Sequence, residues 1–114
     1  MKRRSYVPDR GDIVWIDFNP RTGHEQAGRR PALVLSPATY NRKTDLALMC
    51  PITSQVKGYP FEVVLPADCP VHGAVLSDQV RCLDWQSRGV ARAATARPEI
   101  VSDVTAMLAA LIGS

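Results

Sequence analysis

Histidine, cysteine and long apolar runs are all scarce in this sequence of 114 residues, and each scarcity removes a class of function. The three cysteines, Cys50, Cys69 and Cys82, are odd in number and show no C-x-x-C spacing, which argues against a disulfide framework or a zinc site. Cys50 and Cys82 lie in strand-like runs and read as small buried hydrophobes. The histidines, His24 and His72, fall in loop-like stretches without a third ligand at fixed spacing. Both read as surface residues, with His24 a minor candidate for substrate contact. Asp12, Asp17, Asp78 and Asp84 are scattered and form no recognisable Mg2+ cluster. No metal and no cofactor is expected. No stretch approaches the roughly 20 apolar residues that a bilayer span requires. The basic start MKRR runs into Pro8, Asp9, Arg10 and Asp12 rather than the apolar core of a signal peptide. The expectation is a soluble, cytoplasmic protein with no membrane partner. No repeat or low-complexity linker appears, so residues 1–114 read as one domain.

What is present is an ordinary globular composition, 46% hydrophobic and 22% charged. Fourteen Lys and Arg against eleven Asp and Glu give a formal charge of +3, which permits a polyanionic partner without demanding one. Strands are expected at 12–18 (DIVWIDF), 31–36 (PALVLS), 46–53 (LALMCPIT) and 61–65 (FEVVL), from their β-branched and apolar content. Pro51 should demote the third strand locally to an edge or bulge. Residues 74–85 read as one bent strand or two short ones broken near Ser77-Asp78, and 88–94 as a last strand. The segment 37–45 reads as a turn with room for one helical turn. From Pro98 the period changes: Ile100, Val101, Val104, Met107, Leu108, Leu111 and Ile112 follow helical spacing. Pro98 and Glu99 suit the start of that helix and Gly113 its end. The fold class expected is mainly β (α+β): a small, strongly bent β-barrel or sheet capped by a C-terminal amphipathic helix.

Three stretches carry chemistry. In EQAGRRPALVLS (25–36), a carboxylate and two arginines crowd the entrance to an apolar strand, and Pro31 biases Arg30 toward an extended backbone. A guanidinium matches phosphate oxygens in two-point contact; a solvated loop edge would look the same. Thr53 and Ser54 end a strand, with Lys57-Gly58 following. Two hydroxyls and a cation there suit phosphate, although Ser and Thr also favour strand ends for local backbone bonding. In LSDQVRCLDW (76–85), Asp78, Gln79 and Arg81 are able to read base edges, with Gln79 and Arg81 on one strand face if the strand is continuous.

Taken together, YVPDRGDIVWIDFNP (6–20), GHEQAGRRPALVLSPATYN (23–41), CPITSQVKGYPFEV (50–63) and GAVLSDQVRCLDW (73–85) resemble the MazF/PemK family of toxin endoribonucleases. The later RGVARAA and the terminal helix fit as well, and the 66–72 loop departs most from the family. The resemblance implies an SH3-like barrel acting as a homodimer, a toxin of a type II toxin–antitoxin system. It implies metal-independent cleavage of single-stranded RNA at a short, ACA-like site, leaving 2′,3′-cyclic phosphate and 5′-hydroxyl ends. It places the catalytic arginine on Arg30, its threonine partner on Thr53 and a signature glutamate on Glu25. The RNA contacts expected around them are Gln26, Arg29, Asn41, Ser54, Lys57, Asp78, Gln79 and Arg81. A cognate antitoxin with an acidic, partly disordered segment is implied as the inhibitor. The alternative is a non-enzymatic toxin of this architecture that poisons DNA gyrase, which has no reason to keep Arg30-Pro31 and Thr53.

Overall fold

The computed structural model describes residues 6–18 and 28–113. Among the described residues, seven strands and two helices follow one another: β1 (Asp12–Asp17), β2 (Arg29–Val34), α1 (Ala38–Thr44), β3 (Ala47–Thr53), β4 (Glu62–Val64), β5 (Ala74–Leu76), β6 (Arg81–Leu83), β7 (Ala91–Thr95) and α2 (Pro98–Leu111), with a 3-10 turn over Ser77–Gln79. Every strand pairing is antiparallel, in the order β4-β5-β3-β2-β1-β7, with β6 added to β3. The α+β class is as expected. The sheet is not closed: among the described residues its path ends at β4 and β7 without joining them.

The apolar runs of β1 to β3 are buried on both faces, which is why they read as unbroken rather than alternating. Ile13, Leu33, Cys50 and Ile52 point into one core, shared with Val63, Val71, Val75 and the Ile100 and Val104 face of α2. Val14, Ile16, Ala32, Val34 and Met49 point into a second, shared with Leu83 and Trp85 and flanked by Tyr6 and Val7. Each such aliphatic side chain contributes about 1.5–3 kcal/mol of transfer free energy. Helix α2 presents Ile100 and Val104 fully to the first core and Val101, Met107 and Leu108 in part, as its 3.6-residue period requires.

Pro51 does not mark an edge. β3 is the most connected strand, with β2 on one side and two strands on the other: Ala47–Met49 faces β6, and Ile52 and Thr53 face β5. Pro51 falls in the gap between those two pairings, where a residue without an amide hydrogen costs the ladder least. Cys82 also departs from expectation. It is exposed on β6 opposite exposed Leu48, because alternation sends its neighbour Leu83 inward; Cys50 and Cys69 are the buried pair.

Helix α1 runs two turns, more than the single turn expected. Its anchor is Asn41, which is wholly buried. The Asn41 amide donates to Pro8 O (2.8 Å) and Ser36 O (3.0 Å), its side-chain oxygen accepts from Ser36 (2.6 Å), and its carbonyl accepts from Trp85 Nε1 (3.2 Å). One asparagine thereby ties the N-terminal segment, the end of β2 and the 85 region together.

Candidate active-site cleft

Arg30 and Thr53 lie on adjacent strands, and the register between those strands brings them together. The β2–β3 ladder pairs Val34 with Met49, Leu33 with Cys50 and Ala32 with Pro51. Continued by two residues, the same register sets Arg30 opposite Thr53 on the same face of the sheet. Both line a cleft of about 730 Å³, with Trp15, Pro31, Ser54, Gln55, Pro70 and His72 among its other walls. Arg30 is exposed in extended backbone, as its place before Pro31 predicts.

Thr53 is oriented from two sides. Its Oγ1 accepts the Gln55 backbone N–H at 3.1 Å, which uses a lone pair and leaves the hydroxyl proton available to a ligand. Behind it, Gly73 adopts φ +128° and sits so close that a Cβ there would fall 2.0 Å from the Thr53 carbonyl oxygen. Only a residue without a side chain fits against this strand end.

A second cleft of about 210 Å³ shares Thr53 and Gln55 with the first and continues past Lys57, Tyr59, Phe61, Asp78 and Gln79. The two make one groove along the end of β3. The turn bearing Lys57 is held by Glu62, whose carboxylate accepts the backbone N–H groups of Lys57 (3.1 Å) and Gly58 (2.9 Å). This leaves the lysine ammonium as the projecting charge.

Of the site residues expected from sequence, Arg30, Thr53, Ser54, Lys57, Asp78 and Gln79 therefore meet in one groove. Three others do not join it. Asn41 is buried and bonded on all sides, so it positions the fold and has no surface to offer RNA. Arg29 is half-buried with its guanidinium 3.4 Å from where a Gly89 side chain would begin, on the other side of β2 from Arg30. Arg81 lies over the Phe18 ring, 5.2 Å from its centroid. Gln79 and Arg81 share no strand face, because Ser77–Gln79 winds into a 3-10 turn before β6 begins. Glu25 and Gln26, with His24, lie outside the described residues. Sequence reasoning missed Trp15, Gln55, Pro70, His72 and Gly73. Trp15 carries a signal in hindsight, since it directly faces Pro31 in the β1–β2 register and is 39% exposed in an otherwise buried strand. Gly73 carries none, because its role depends on a contact between distant segments.

Elsewhere, burial pushes the Cys50 thiol up to about 12, aided by nearby Asp78. The Asp84 carboxyl is held below the usual carboxylate range, first by the Ser87 hydroxyl and then by Arg88. Arg88 also donates to the Asp17 and Phe18 carbonyls, fastening the 84–89 turn to the end of β1. Among the described residues no group of His, Cys, Asp and Glu could hold a metal ion, and no helix is long and apolar enough to cross a membrane.

The comparisons with known proteins agree on one family. A family profile described as "PemK-like, MazF-like toxin of type II toxin-antitoxin system" matches residues 9–112. The chain is 50% identical over 108 residues to endoribonuclease toxin MazF of Escherichia coli (strain K12), covering 95% of this chain and 96% of that one. It is 38% identical over 113 residues to endoribonuclease toxin ChpB of the same organism, covering 91% and 93%. Among solved structures, MazF (Form-I) from Deinococcus radiodurans superposes with a TM-score of 0.88 at 54% identity, covering 96% of this chain and 100% of that one. The MazE-MazF (Form-II) structure from the same organism gives 0.86 at 50% identity, covering 96% and 98%. With nearly its whole length matched in sequence and in fold, this chain belongs to the PemK-like, MazF-like family of type II toxin–antitoxin toxins.

Proposed function

We propose that the chain is an endoribonuclease toxin that cuts single-stranded RNA at a short, ACA-like site without a metal, through Arg30 and Thr53. The observation that carries this reading is the β2–β3 register, which sets Arg30 and Thr53 side by side in the lining of one cleft. In the reaction the ribose 2′-oxygen bonds to the adjacent phosphorus and the bond to the 5′-oxygen breaks, giving a 2′,3′-cyclic phosphate and a 5′-hydroxyl. Negative charge builds on the nonbridging oxygens, and donors aimed there stabilise the transition state more than the substrate. Arg30 supplies a two-point contact and Thr53 a single hydroxyl donor. The 2′-hydroxyl proton passes to a base. Arginine, ionised up to a pKa above about 12, is poorly suited to that task, so Glu25 is assigned to it, with Arg30 protonating the leaving oxygen. Ser54, Lys57, Asp78 and Gln79 extend the groove for the flanking nucleotides. Duplex RNA is resistant in this scheme, because its bases are stacked and paired.

The same basic groove suits an acidic, partly disordered antitoxin segment, since Arg30 and Lys57 attract carboxylates as they attract phosphates. Relatives crystallised as MazE-MazF give this reading its partner class. The deciding experiment is incubation of the purified protein with a defined single-stranded RNA in EDTA. Cutting that leaves cyclic phosphate ends is the expected result. RNA left intact in EDTA but cut once Mg2+ is added would overturn the metal-independent mechanism.

A further inference from the structure

Residues 70–72, at the end of the 66–72 turn, form one wall of the cleft. Cys69 and Val71 are buried in the first core, whereas Pro70 and His72 are exposed and line the cleft that holds Arg30 and Thr53. Two buried anchors hold this wall to the protein interior. Its downstream end is fixed more tightly still, because Gly73 packs against the Thr53 carbonyl and its own carbonyl accepts the Leu65 N–H at 2.9 Å. His72 therefore stands one residue from a backbone contact with Thr53.

We propose that His72 is a specificity-determining residue whose imidazole hydrogen-bonds the edge of the nucleobase beside the scissile phosphate. This rests on the ribonuclease reading above. The charge that a phosphate needs is already present in Arg30, and phosphate contacts carry no sequence information of their own. Beside its polar residues Arg30, Thr53, Ser54 and Gln55, the cleft that His72 lines has apolar walls in Trp15, Pro31, Pro70 and Val71. Those walls suit the faces of a base, and an imidazole at the rim offers a ring nitrogen to its edge. Exposure of His72 means that its replacement leaves both cores untouched.

The test is digestion in EDTA of a single-stranded RNA pool randomised on both sides of the cut, with the wild type, His72→Ala and His72→Asn, followed by sequencing of the new ends. Kinetics on the preferred substrate accompany it. His72→Ala is expected to lose about tenfold or more of its discrimination at one position next to the cut, with the rate loss appearing in KM rather than kcat. His72→Asn, which keeps a donor and an acceptor, recovers part of that discrimination. An unchanged cut-site profile and KM in His72→Ala overturns the proposal while the ribonuclease reading stands. A fall in kcat with the profile unchanged also overturns it, in favour of a role in the chemistry. Failure of the wild type to cut any RNA removes the ribonuclease reading and this proposal with it.

Discussion

Replacing Arg30 with lysine keeps a positive charge in the cleft and removes the planar fork that grips two oxygens at once. Arg30→Lys is therefore expected to lose most cleavage, and Arg30→Ala and Thr53→Ala about 10²–10³ in rate each, the usual cost of one transition-state donor. Single-turnover cleavage measured beside circular dichroism checks this. A variant that is folded and cuts at the wild-type rate refutes the role given to that residue. Gly73 offers a subtler test, because it touches no substrate. A methyl group at 2.0 Å from the Thr53 carbonyl has to displace the strand end, so Gly73→Ala should lower both thermal stability and cleavage. Wild-type activity in that variant would show that the exact seat of Thr53 is unimportant.

At the level of elements, the 84–89 turn has a pH dependence of known sign. Asp84 accepts from Ser87 and Arg88, which depresses its folded pKa, so its contribution to stability is present above the unfolded value and is lost as pH falls through the folded one. The carboxylate is half exposed, which makes the effect small. Denaturant midpoints measured downward from neutral pH should fall more for the wild type than for Asp84→Asn once the pH drops below about 4; parallel curves would show that the pair contributes nothing. The strands were legible because a two-sided core writes apolar runs such as ALVL and IVWI into the sequence, and α2 because its stripe keeps a 3.6-residue period. Helix α1 was less legible, since ATYNRKT has no apolar stripe and is anchored by a polar residue, Asn41. The start of β2 was hidden for a related reason: Arg29 and Arg30 look like loop by composition, yet their backbone pairs with Asp17 and Ile16. Arg30 and Thr53 themselves were found through a motif, whereas the walls formed by Trp15, Pro70 and His72 required three segments distant in sequence to be seen together.

For the whole molecule, the open question is what covers the far end of α2. Leu111 and Ile112 are 46% and 81% exposed, apolar surface that is costly to leave in water. A homodimer burying this region is the expected state. Leu111 is a better contact than Met107, which is already half-buried against the first core. Sedimentation at micromolar concentration should report a dimer, and Leu111→Lys should shift it toward monomer; a monomeric wild type would refute the interface.

The shared strand β3 also has a consequence in time. Thr53 pairs with Ala74 of β5 and has Gly73 packed behind its carbonyl, so its seat includes residues made well after Arg30. Synthesis proceeds at about 5–20 residues per second and domains fold as units. If Thr53 acts as proposed above, a chain still attached to the ribosome with β5 not yet emerged is expected to lack a seated Thr53 and to leave RNA uncut. On that proposal, activity would begin only once β5 has docked, and a silencing partner would be needed from the same moment.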